Sequence, residues 1–116
     1  MVGSLKITAG VAPVIDYVPP ADRILAGAPH QTIVDAYGSS DGKFSAGLWY
    51  GAPGRWRVAY TEHELCHLLD GAVVLYGDDG SVAKYTAGDS FVVPAGFTGE
   101  WEVTIAARKL YAIYQP

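Results

Sequence analysis

Cysteine is nearly missing from this 116-residue chain: Cys66 is the only one. An intrachain disulfide is excluded, and a reducing, cytoplasmic setting is expected. Basic residues are also scarce. Eight Lys and Arg against twelve Asp and Glu give a net charge of −4. Such a surface does not attract phosphate backbones, so nucleic acid is not an expected partner. Charged residues make up only 17% of the chain while 50% is apolar, a globular composition and not a disordered one. No apolar run approaches the roughly 18 residues that span a bilayer. The start, Met1-Val2-Gly3-Ser4-Leu5-Lys6, lacks the basic and then apolar pattern of a signal peptide. A membrane is therefore not an expected partner. There is no repeat, and the length suits one core, not two.

What is abundant points to β-structure. Fourteen glycines, eight tyrosines and three tryptophans suit a turn-rich β protein. Residues 1–30 read as an irregular N-terminal arm. Pro13, Pro19, Pro20 and Pro29 each remove a backbone donor there, with room for one helical turn over Ala21 to Leu25. Residues 31–116 read as the domain proper. Strands are expected near Gln31–Asp35, Phe44–Tyr50, Trp56–Tyr60, Glu64–Leu69, Ala72–Tyr76, Val82–Tyr85, Ser90–Val93, Glu100–Ile105 and Lys109–Tyr114. Asp-Gly and Pro-x-Gly clusters between them supply the dihedrals of tight turns. Short strands at this spacing indicate a sandwich or barrel.

One pentapeptide suggests a different chemistry. His63-Glu64-Leu65-Cys66-His67 matches H-E-x-x-H. On a helix the two histidines share a face and could hold zinc, with Glu64 as base on the bound water, which gives a minor zinc metalloprotease reading. On a strand, residues four apart are roughly 13 Å apart and cannot chelate one ion. The flanking strand signals favour the second geometry, with His63 and His67 on the outer face.

The second half carries a family pattern. Gly88-Asp89-Ser90-Phe91-Val92-Val93-Pro94-Ala95-Gly96 resembles the second motif of cupins. Glu64 followed by Gly71 resembles the end of the first cupin motif, and Gly51 falls at the spacing of its start. Together with Gly96-Phe97-Thr98-Gly99-Glu100-Trp101 and Arg108-Lys109-Leu110-Tyr111, the region from Gly47 to Tyr114 is similar to the cupin-3 subgroup, related to ureidoglycine aminohydrolase and the ethanolamine-utilisation EutQ proteins. The resemblance implies an all-β fold, a single cupin-type jelly-roll β-barrel preceded by the irregular arm.

It also implies where a metal would sit. Metal-binding cupins use three histidines and one glutamate. By motif spacing those positions are Arg57, Ala59, Glu64 and Gly99, so only the glutamate is kept. The metal site is degenerate, and no metal or other cofactor is expected; the minor alternative is a divalent metal held by a rearranged set of other residues, with Cys66 as a soft ligand. Strand parity from these positions puts Arg57, Ala59, Glu64, Cys66 and Trp101 in the barrel interior, with Tyr111 or Tyr114 from the last strand. Trp56, Val58, Tyr60 and Leu65 would then form an outer apolar patch, covered by a homodimer partner or by the N-terminal arm.

Two functional readings follow. One is a small-molecule enzyme acting on a polar metabolite, with Glu64 and Arg57 as catalytic residues and Trp101, Cys66, Ala59 and Tyr111 holding the ligand. The other is a non-catalytic small-molecule-binding or accessory module.

Overall fold

The computed structural model describes residues 3–8 and 14–116, so Pro13 and the first two residues lie outside the described residues. Among the described residues, aromatic and β-branched runs separated by glycine turns form nine strands. These are β1 (Val14–Tyr17), β2 (Ile24–Gly27), β3 (Gln31–Gly38), β4 (Phe44–Gly51), β5 (Gly54–Ala59), β6 (His63–Gly77), β7 (Val82–Thr86), β8 (Ser90–Val93) and β9 (Thr98–Tyr114). A single 3-10 turn, Ala21–Arg23, falls where a helical turn was anticipated.

All pairings are antiparallel, and β9 is the hub. Its first part pairs with β5, its last part with β4, and nearly its whole length with β6. The order β1-β3-β4-β9-β5-β2 runs through it, while β7 and β8 attach through β6. The sheet curls on itself into the expected all-β, jelly-roll type of half-barrel.

Two pairs of expected strands are fused. Glu64–Leu69 and Ala72–Tyr76 are parts of β6, and Glu100–Ile105 and Lys109–Tyr114 are parts of β9. Asp70-Gly71 reads as a turn but acts as a bulge. Gly71 takes φ +85, and the β6–β9 register shifts between Leu68 and Val73. A bulge bends a strand without ending it, which lets both strands swing from one half of the barrel to the other.

The arm is more ordered than its prolines suggest. β1 pairs with β3 from Val14↔Val34 to Tyr17↔Gln31, and β2 pairs with β5 at its edge. Pro19 and Pro29 are buried beside these strands, where no ladder donor is needed. The core packs Trp101, Cys66, Leu68, Val73, Val93 and Val103 inside the curl, each at most 2% exposed. Among the described residues no helix is long and apolar enough to cross a membrane.

Candidate functional site

Register decides which side chains enter the curl. In the β5–β9 ladder Trp56 faces Trp101, Arg57 faces Glu100 and Val58 faces Gly99. Trp56 and Trp101 are both buried, with rings stacked at 6.2 Å and 18°. Trp56 and Val58 therefore point inward, and Arg57 and Ala59 point outward. This corrects the expected parity by one residue, and a one-residue shift moves a whole strand to the other face. The physical reason is burial: an indole is stabilised inside the curl, whereas a guanidinium would need a buried partner there. Of the anticipated outer patch only Leu65 is outside, 51% exposed; Tyr60, too, packs on the core.

Arg57 finds its partner on the outer surface. Its two terminal nitrogens donate to Asp78 Oδ1 and Oδ2 at 2.7 and 2.8 Å, and Glu100 lies 3.7 Å away. The Arg57 hydrogen bonds, with Thr98 alongside, lower the Asp78 carboxyl to about 2. Arg57 and Glu64, both expected in the interior, do not pair with each other. Ala59 is exposed and lines, with Arg57, a separate hollow that also touches Trp56, Val58 and Tyr60. Gly99 is buried where β9 crosses β6; a β-carbon there would run into the Tyr76 carbonyl oxygen, so no side chain fits.

Glu64 is inside, as expected, but its cation is Lys109. Lys109 Nζ lies 3.0 Å from Glu64 Oε2. Tyr60 donates its hydroxyl to Glu64 Oε1 at 2.8 Å, and Trp101 Nε1 donates to the Tyr60 oxygen at 3.1 Å. The ammonium also sits over two indoles, 4.6 Å from the Trp49 ring and 4.3 Å from that of Trp101. Trp49 is directly opposite Lys109 in the β4–β9 ladder, which explains the first contact. Cation–π attraction of this kind is strongest when desolvated. Burial pulls the Lys109 ammonium toward neutrality, but the Glu64 carboxylate and Cys66 outweigh it and leave its pKa raised.

The other interior groups are held protonated. Cys66 is fully buried, and burial pushes its thiol up to about 12 despite the nearby Lys109. Burial and then the Glu64 charge push the Tyr60 hydroxyl well above its usual value. Tyr111 donates to Asp35 Oδ1 at 2.8 Å; burial and that hydrogen bond raise it too. None of these is an activated nucleophile.

Beside this network is a cavity of about 240 Å³, walled by Trp49, Trp56, Trp101, Gln31 and the Lys109–Glu64 pair. A second hollow of about 260 Å³, with Asp35 and Tyr111 on its wall, shares Trp49 and Glu64 with the first. Gln31 Oε1 accepts from Trp49 Nε1 at 2.7 Å. Gln31 Nε2 is the one buried side-chain polar atom among the described residues without a partner. Thus Glu64, Cys66, Trp101 and Tyr111 are all buried in the interior, Glu64 and Trp101 on the first hollow and Tyr111 on the second, while Cys66 lines neither and Arg57 and Ala59 do not join them.

The H-E-x-x-H run is a strand within β6, not a helix. His63 stacks on Tyr114 at 6.2 Å and accepts from the Ala95 N–H at 3.1 Å, while His67 Nδ1 meets Ser90 Oγ at 2.8 Å. Glu64 is on the opposite face, so the zinc-protease geometry does not form. Nor does the interior suit a divalent metal. Among the described residues no three His, Cys, Asp or Glu side chains converge. An ammonium already lies against Glu64, and a second cation there would be repelled.

Sequence reasoning missed Lys109, Trp49, Tyr60 and Gln31. A signal existed for Lys109. It lies two residues before Tyr111 on one strand, so placing Tyr111 inside places Lys109 inside too.

A model of the EutQ-like cupin domain matches residues 38–111. A protein of unknown function of the DUF861 family from Pseudomonas syringae pv. tomato aligns over 89% of this chain at 25% identity, with TM-score 0.79. The alignment covers 45% of that protein, so the chain spans less than half its length. A DUF861 family protein from Thermotoga maritima is 28% identical over 55% of this chain and 73% of its own, with TM-score 0.54. The Clostridium difficile EutQ protein shares the fold, with TM-score 0.66 and 17% identity over 75% of this chain and 64% of its own. No curated protein matches. With its motif glycines at the bends and its one retained glutamate inside the curl, the chain belongs to the EutQ-like cupin family.

Proposed function

We propose that this domain is a small-molecule-binding cupin that receives a polar metabolite in its tryptophan-walled interior and works without a divalent metal. The observation that carries this reading is the buried Lys109–Glu64 pair beside the cavity of about 240 Å³. A closed ion pair under two indoles provides the fixed electrostatics that a cupin metal site would otherwise supply. Aromatic walls with a few placed polar groups are the usual make-up of a ligand site.

The chemistry of the interior favours binding over turnover. General acid–base catalysis wants groups poised near neutral pH. Here Cys66, Tyr60, Tyr111 and Lys109 are all shifted upward, away from that range. Both Glu64 oxygens are already engaged.

The test is a small-molecule screen on protein purified without chelators, read by indole Nε1–H resonances and thermal shift, together with metal analysis. The expected result is ligands that move the Trp49, Trp56 and Trp101 signals, bind equally well after chelator treatment and are recovered unchanged. A stoichiometric divalent metal, or turnover of a bound compound abolished in Glu64→Gln, would replace this reading with an enzymatic one.

A further inference from the structure

Apart from Glu62, the charges that line the cavity are balanced within its own walls. Lys109 and Glu64 neutralise each other at 3.0 Å, Tyr60 occupies the second carboxylate oxygen, and Trp101 occupies Tyr60. An anionic guest would enter without a counter-ion, and a cationic one would meet the Lys109 ammonium with only the partly exposed Glu62 to offset it, so either charge would be poorly compensated. Glu62, on the cavity rim, adds repulsion for an anion.

One polar group in the wall is unbalanced. Indole nitrogen only donates, so the Gln31 atom 2.7 Å from Trp49 Nε1 must be the carbonyl oxygen. That leaves the amide Nε2 as a donor with no partner among the described residues, on a side chain 6% exposed. Buried donors are nearly always paired. This one is closed off from bulk water, but Gln31 lines the cavity, and a small turn of its side chain would offer the donor to an acceptor there. The remaining surface offered to that guest is aromatic: Trp49, Trp56 and Trp101, with ring centroids 5.9 to 6.5 Å apart. Such walls favour flat molecules.

We infer that the cavity selects an uncharged, flat carbonyl compound, with Gln31 Nε2 recognising the carbonyl oxygen. This rests on the binding reading above and narrows it to a chemical class. Gln31 acts as a specificity residue, and the Lys109–Glu64 pair acts by refusing ions.

Three planar probes of nearly equal size separate the possibilities: benzamide, benzoate and benzamidine. Affinities are measured on the full chain by tryptophan fluorescence and indole resonances. Benzamide should bind at least tenfold more tightly than either ion. Gln31→Glu keeps the acceptor for Trp49 Nε1 but removes the donor, and should erase that preference. Gln31→Met is the uncharged control and should do the same. Benzoate or benzamidine binding as tightly as benzamide overturns the inference, as does a benzamide preference that survives in both variants. If none of the three binds while other molecules from the screen occupy the cavity, the inference fails and the binding reading stands. If nothing at all occupies the cavity, both fail.

Discussion

The ammonium of Lys109 and the carboxylate of Glu64 lie 3.0 Å apart, with only 5% and 7% of the two side chains exposed. They come from β9 and β6, neighbours in the longest ladder of the molecule. Removing one partner leaves a buried charge uncompensated, so Lys109→Met should destabilise the fold by about 3–5 kcal/mol. The double variant Lys109→Met/Glu64→Gln should recover much of that loss, since no ion then remains. Urea unfolding of the two single variants and the double variant gives the coupling. Additive losses would mean that the two groups do not act as a pair.

The orientation of β5 makes a contrast between adjacent residues. Trp56 is 6% exposed and packs on Trp49 and Trp101. Trp56→Ala should cost about 3–5 kcal/mol through the void it leaves. Arg57→Ala breaks a surface pair and should cost far less than Trp56→Ala. Equilibrium unfolding measures both, and the reverse ranking would put β5 in the other register.

Cys66 should be silent toward thiol reagents. Its thiol is fully buried and pushed up to about 12, so almost no thiolate exists at neutral pH. In a disulfide-exchange assay at pH 8 the native protein should react only as fast as it unfolds. Adding denaturant should release one rapid equivalent. Rapid modification without denaturant would contradict the burial.

Asp78 should titrate abnormally low. Its folded value of about 2, set by the Arg57 hydrogen bonds and then Thr98, lies below the usual value near 3.9 for an unfolded aspartate. A depressed carboxyl contributes stability that is present above its unfolded value and lost as pH falls through its folded one. The loss from this group therefore falls between about pH 4 and pH 2. Carboxyl carbon NMR titration should place the Asp78 midpoint near 2 in the wild type and higher in Arg57→Gln. An unchanged midpoint in that variant would assign the depression to Thr98.

The fold was legible because each local signal agreed with the global one. Gly96 and Pro94 end β8, and Asp-Gly steps bend the chain where the jelly roll needs it. Asp70-Gly71 shows the limit of that logic. A left-handed glycine serves a hairpin turn and a bulge equally well, and only the partner strand tells them apart. Without knowledge that β9 runs past the break, one strand reads as two.

The site was legible in part. Glu64, Cys66, Trp101 and Tyr111 share the interior because period-two alternation holds along any unbroken strand. Arg57 and Ala59 were misplaced because spacing counted from Gly51 has to cross the β4–β5 turn, where one residue inverts every later face.

What the amino-acid sequence determined by itself was local: strands, turns, the all-β class, the family pattern and the lack of a histidine set. Tertiary structure alone decided which cation meets Glu64. Lys109 and Arg57 are both basic residues on strands, and the one that is nearer to Glu64 in the chain is Arg57. Periodicity from Tyr111 puts Lys109 inside and motif spacing puts Arg57 inside, so the two signals do not rank them. The ladder through β9 does, since it puts Trp49 opposite Lys109 and Trp56 opposite Trp101. Three indoles then line the curl, the Lys109 ammonium lies over two of them against Glu64, and the guanidinium of Arg57 is left outside with Asp78.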